Sequence, residues 1–105
     1  MPNFLFIYHG GQMPEDEAEV EAAMAAWGKW MTDNGPALVD AGNPVGMSKT
    51  VSASGVADNG GSNPVMGYTI VSAPDIDAAC EMAASNPSVS EGGSVEVAEI
   101  IEIEM

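Results

Sequence analysis

Arginine is missing from this sequence altogether, and lysine occurs only as Lys29 and Lys49. Against them stand 16 acidic residues, for a net charge of −14 at pH 7. Such a chain repels phosphate backbones and anionic lipid surfaces, so nucleic acid and membrane are not expected as partners. An anionic substrate is disfavoured too, unless Lys49 or backbone amides serve it locally. The acidity bears on solubility and association rather than on fold.

Cys80 is the one cysteine, which excludes an intrachain disulfide and any cysteine-based metal site. That fits a reducing compartment. His9 is the one histidine, and with scattered carboxylates it lacks the paired spacing of zinc or non-haem iron sites, so no metal, haem or other cofactor is expected. Gly10-Gly11 and Gly60-Gly61 lack the lysine and helix start of a phosphate loop. Long apolar runs are lacking as well. The Phe4–Tyr8 stretch is too short for a signal h-region or a membrane span and has no basic stretch before it, which gives a soluble cytoplasmic protein as the expectation. Aromatic residues are few, two each of Phe, Tyr and Trp, against eight methionines. One domain of 105 residues buries roughly 60–70% of its unfolded surface, so a core of small and flexible side chains has little reserve and gains from a second subunit.

What is present is a run, Phe4-Leu5-Phe6-Ile7-Tyr8, that is apolar at every position and reads as a central strand covered on both faces. It ends on His9 and breaks on Gly10-Gly11. A helix follows from Asp16, where Asp16 and Glu19 form a capping pair and Glu15, Asp16 and Glu17 complement the dipole. Its apolar stripe is Val20, Ala23, Met24, Trp27, Trp30 and Met31, and Asn34-Gly35-Pro36 stops it, with Gly35 available for a left-handed cap. Ala37–Ala41 is a second strand and Ser48–Ser54 an exposed one, followed by a loop over Ser54–Pro64. Val65–Ser72 alternates as a strand. A second helix opens at Ala73-Pro74-Asp75, capped by Ser72 or Asp75, with a stripe of Ile76, Ala79, Cys80 and Ala83, and ends at Asn86-Pro87. Ser94–Met105 is a long last strand.

The order β-α-β-(β)-β-α-β folds naturally as an α+β domain, the ferredoxin-like antiparallel sheet with two helices on one face. Two helices cover one face only, so the open sheet face calls for a homodimer.

Several residues are candidates for chemistry. His9 has the side chain suited to general acid/base work near neutral pH; its alternative is a strand-end histidine bonded to a loop. Asp40, beside Leu38-Val39, needs a partner such as His9 or Lys49 if it is buried, and faces water if its strand is an edge. Glu99 interrupts the apolar odd positions of the last strand and so points into a dimer interior, or to solvent if a bulge lies near Ala98. Lys49 can neutralise Asp40 or hold a carboxylate, or else blunt an edge strand. Tyr8 and Tyr68 can line a cleft and position a substrate. Trp27 and Trp30 read as helix-to-sheet packing, and Cys80 as a buried thiol.

Phe4–Gly11, Trp27-Gly28-Lys29-Trp30-Met31 leading to Gly35, Asp40-Ala41-Gly42-Asn43-Pro44, Gly67-Tyr68-Thr69-Ile70-Val71 with Asp75-Ile76-Asp77-Ala78-Ala79, and Gly93–Ile101 together resemble the YCII-related proteins of the dimeric α/β-barrel superfamily. The resemblance implies a ferredoxin-like subunit paired through its sheet, with one cleft per subunit. Relatives include muconolactone isomerase, chlorite dismutase and monooxygenases that need no cofactor. The first functional reading is a cofactor-independent small-molecule enzyme (lyase, isomerase or monooxygenase-like), with the residues' own candidates, His9 and a carboxylate, Asp40 or Glu99, as acid and base. The other reading is a non-catalytic small-ligand or accessory dimerisation module. The histidine of the family's proposed His/Asp pair falls at Met24 here, with the acid near Asp33, and the Asp-Gly-Pro-Phe stretch of a neighbouring subgroup is replaced by Asp58-Asn59-Gly60-Gly61.

Overall fold

A computed structural model of the chain describes residues 1–10, 16–58 and 64–103. Its elements run β1 (Asn3–Gly10), α1 (Glu17–Asp33), a 3₁₀ turn (Gly35–Ala37), β2 (Leu38–Asp40), β3 (Thr50–Ser52), β4 (Gly55–Ala57), β5 (Val65–Ser72), α2 (Ile76–Ala84), α3 (Pro87–Ser90) and β6 (Gly93–Glu99). The domain is α+β, and four strands form an antiparallel sheet in the order β2-β5-β1-β6.

β1 is the central strand that its apolar run requires. Its even residues Phe4, Phe6 and Tyr8 are buried, and its odd residues Leu5, Ile7 and His9 are half-buried. The pleat sends the two sets to opposite faces. Opposite the even set lie Val71, Thr69 and Gly67 of β5 and Val97 and Val95 of β6. α1 and α2 pack on this face through Trp27, Trp30 and Met31 and through Ala78, Ala79, Met82 and Ala83. Trp30 is 3% exposed, and its indole N–H donates to the Met82 carbonyl at 3.1 Å, joining the two helices under one core.

Local chemistry sets the element ends. Asp16 Oδ1 accepts from Glu19 N at 2.8 Å and Asp75 Oδ1 from Ala78 N at 2.8 Å, so the expected caps form. α1 closes at Asn34 into the 3₁₀ turn; Gly35 carries no positive φ and is not a left-handed cap. Asn86-Pro87 does end α2 but also opens α3, with Asn86 as its N-cap accepting from Ser88 N at 2.9 Å and Pro87 in the first turn.

Four expectations are corrected. Part of the loop expected over Ser54–Pro64 is strand β4, which pairs with β3 as a separate exposed hairpin (Val51 opposite Val56) outside the main sheet; residues 59–63 lie outside those described. The last strand ends at Glu99 rather than running to Met105, because its partner β1 is used up: Ile100 N donates to the carbonyl of Asn3, the first residue of β1, at 2.9 Å, and no described strand pairs with residues 101–103. β6 is an edge strand whose even positions include the exposed Ser94 and Glu96, so it is not apolar on both faces. Cys80 is exposed, not buried. α2 sets its smallest side chains, Ala79 and Ala83, against the sheet, where the backbone can approach closely, and that rotation turns Ile76 and Cys80 outward. Among the described residues, no helix is long and apolar enough to cross a membrane.

Candidate ligand-binding cleft

The apolar stripe of α1 is longer than the surface that receives it. Trp27, Trp30 and Met31 reach the core, whereas Met24 and Val20, about one and two turns earlier, are exposed, Met24 at 71%. Between this overhanging half of the helix and the 41–44 segment beyond β2 lies a cleft of about 400 Å³. Its floor is Tyr8, Gly67 and Thr69, and its walls include Trp27, Met24 and Met31.

Two glycines make room for it. Gly42 has a φ of +79°, and a Cβ there would collide with the Tyr68 carbonyl, so only glycine lets the 41–44 segment lie this close to β5. Gly67 sits under Asn43 and Pro44, where a side chain would press on both backbones. The segment is tied down by Tyr68 N donating to the Asn43 carbonyl (3.2 Å) and Val45 N donating to the Met66 carbonyl (3.0 Å).

The polar groups of the floor form one directed chain. Asn86 Nδ2 donates to the Tyr8 hydroxyl (3.3 Å), Tyr8 donates to Thr69 Oγ1 (2.7 Å), and Thr69 donates to the Ala41 carbonyl (3.0 Å). Asn86 and Thr69 are each 1% exposed, so the chain is shielded from water. Burial raises the Tyr8 pKa above its usual value, outweighing the hydrogen bonds to Thr69 and Asn86, which act the other way. The hydroxyl is therefore held neutral. Trp27 meets Tyr8 edge-on, ring centroids 5.3 Å apart at 79°.

Of the six residues singled out from the sequence, Tyr8 is in this cleft. Tyr68 contributes to its lining, although alternation along β5 puts its ring with Ile7 on the other face. His9 follows Tyr8 in the strand and so faces away from the cleft. Its Nε2 lies 3.0 Å from Glu96 Oε1 and its Nδ1 3.3 Å from the Pro64 carbonyl, so both ring nitrogens already have partners. The histidine does have a carboxylate beside it, but not either of those expected. Asp40 stands opposite Ile70, which pairs with Leu5; that is two strands over and four residues down from His9. Its Oδ1 accepts from Gly42 N (2.9 Å) in a local turn, and the side chain is exposed. Glu99 opposes Phe4 in an unbroken β1–β6 register, about 17 Å along β1 from His9, and is exposed at the strand end without a bulge. Lys49 meets neither Asp40 nor the cleft: it pairs with Asp58 at 3.4 Å on the exposed hairpin.

Sequence reasoning missed Glu96, Thr69 and Asn86. Pairing Gly10 with Gly93 would have placed Glu96 diagonally across from His9, since Ile7 then opposes Glu96. A threonine in an apolar strand and an asparagine before a proline gave weaker signals. Among the described residues no three His, Cys, Asp or Glu side chains gather as metal ligands. No protein-family model matches the chain, and no curated protein matches it.

Proposed function

We propose that the chain is a small-molecule-binding protein, YCII-like in build, that takes its ligand in the cleft between α1 and β5. The single observation that carries this is the cleft itself: about 400 Å³, apolar, and floored by a buried, internally satisfied hydroxyl chain. Ligand sites are concave and mostly apolar with few polar groups, at this scale of volume. The sheet order β2-β5-β1-β6 with α1 and α2 on one face supports a ferredoxin-like subunit. Leu5, Ile7, Ile70 and Ala98, half-buried on the other face, support closure of that face by a second copy.

A thermal-shift ligand screen tests the site. Ala23→Phe, on the cleft-facing side of α1, fills the cavity from an otherwise tolerant helix position. Ligands that stabilise the wild type lose their effect in Ala23→Phe and keep it in His9→Ala. Stabilisation that survives Ala23→Phe counts against the cleft. The second reading is catalytic, with His9 and Glu96 as acid and base in a cleft completed by a second copy; their 3.0 Å contact favours it. It requires turnover that is lost in both His9→Ala and Glu96→Gln.

A further inference from the structure

Resting on the cleft as the ligand site, we infer that its ligand is an uncharged, mainly aromatic molecule of about a dozen heavy atoms, and that ionised analogues are rejected. Size comes from the volume: about 400 Å³ equals roughly 13 waters at their liquid share of ~30 Å³ each. That suits a two-ring frame.

Charge is excluded locally. Among the described residues, no charged side chain lines the cleft. Lys29 pairs with Asp33 at 3.0 Å and Lys49 with Asp58 at 3.4 Å, so both cations of the sequence are engaged elsewhere. The −14 net charge adds a repulsive field for anions, but salt screens it beyond about 8 Å at physiological strength. The desolvation of an unpaired charge in an apolar cleft is the larger cost. An ammonium meets the same penalty, because no described carboxylate lies in the lining to receive it.

The floor asks for no polar head group either. The Tyr8 hydroxyl and Thr69 Oγ1 spend their protons on Thr69 and Ala41, and neither is left seeking an acceptor. The neutral groups that remain in the lining are Asn43 and Ser88, enough for one ether or carbonyl oxygen. Aromatic character follows from Trp27 and from Met24, Met31 and Met66, whose thioethers make favourable contacts with a ring edge.

The test uses three probes on one frame: 2-methoxynaphthalene (neutral), 2-naphthoate (anion) and 2-naphthylmethylammonium (cation). Each is titrated into the whole chain and followed by the amide signals of Gly67 and Thr69 and the Trp27 indole. The neutral probe is expected to shift these signals and to bind at least about 30-fold more tightly than either ion. Met24→Lys, a substitution at an exposed helix position, should raise naphthoate affinity about 10-fold or more. An ion that binds as well as the neutral probe, with the same signals shifting, overturns the ligand class while the cleft stands. No shift at Gly67, Thr69 and Trp27 with any probe sinks the cleft reading, and this inference with it.

Discussion

The Tyr8 hydroxyl donates to Thr69 Oγ1 at 2.7 Å across two neighbouring strands, and both residues are buried. Replacing Tyr8 by Phe leaves Thr69 its bond to Ala41 but strips Asn86 Nδ2 of an acceptor inside the core. Loss of about 1–3 kcal/mol is expected, read as a lower urea midpoint at unchanged slope. The raised pKa of Tyr8 also gives a pH signature. The folded state keeps its proton where the unfolded chain, titrating near 10, loses it, so this contribution is full below about pH 10 and fades as pH rises through the folded value. Wild type should therefore lose more stability between about pH 9 and pH 11 than Tyr8→Phe does. Equal losses would remove Tyr8 as the cause.

Gly42→Ala forces a side chain into the Tyr68 carbonyl at a φ of +79°. The 41–44 segment must lift off β5, which costs at least about 1–2 kcal/mol from the left-handed backbone, with the collision added to it. Ligand stabilisation in the cleft should fall together with the melting temperature. By contrast, Val51→Thr on the exposed hairpin, where Val51 is 75% exposed, should stay within about 0.5 kcal/mol of wild type.

Glu96→Gln tests the partner of His9. The Glu96 side chain is 62% exposed, and such pairs are worth about 0–1 kcal/mol, so stability should change little. Ligand affinity in the cleft should be unchanged, since His9 and Tyr8 point to opposite faces of β1. A fall in affinity of more than about 3-fold would tie the two faces together and favour the catalytic reading.

Strands and helices that speak through their own side chains are legible in the sequence. β1 is apolar at every core position, α1 carries its Asp16 cap and indole stripe, and β5 alternates. Features that depend on a neighbour are not legible in this way. Glu96 beside His9 depends on the β1–β6 register, and the end of β6 depends on where β1 begins. The exposure of Cys80 escapes the sequence pattern because alanine and cysteine differ too little in hydrophobicity to fix the rotation of α2; the fit of Ala79 and Ala83 against the sheet decides it. The cleft needs the overhang of α1 and the close approach at Gly42, and neither is a sequence pattern.

Pairing through the open sheet face is tested at Ile7, half-buried on the side away from the helices. Sedimentation of the wild type should show a dimer. Ile7→Lys should give a folded monomer with native circular dichroism, because the change touches no helix-facing core residue. A wild type that stays monomeric at about 100 μM, where even a Kd of ~1 μM would hold it paired, contradicts this face as an interface.

The central claim, that ligand chemistry belongs to the cleft around Tyr8 rather than to His9, is tested most directly by a ligand-titrated amide spectrum. Signals of Gly67, Thr69 and the Trp27 indole are predicted to move together with a single Kd, while His9 and Ser94 on the β1–β6 ladder stay in place. Movement centred on His9, Ser94 and Glu96 with Gly67 and Thr69 unmoved would contradict it.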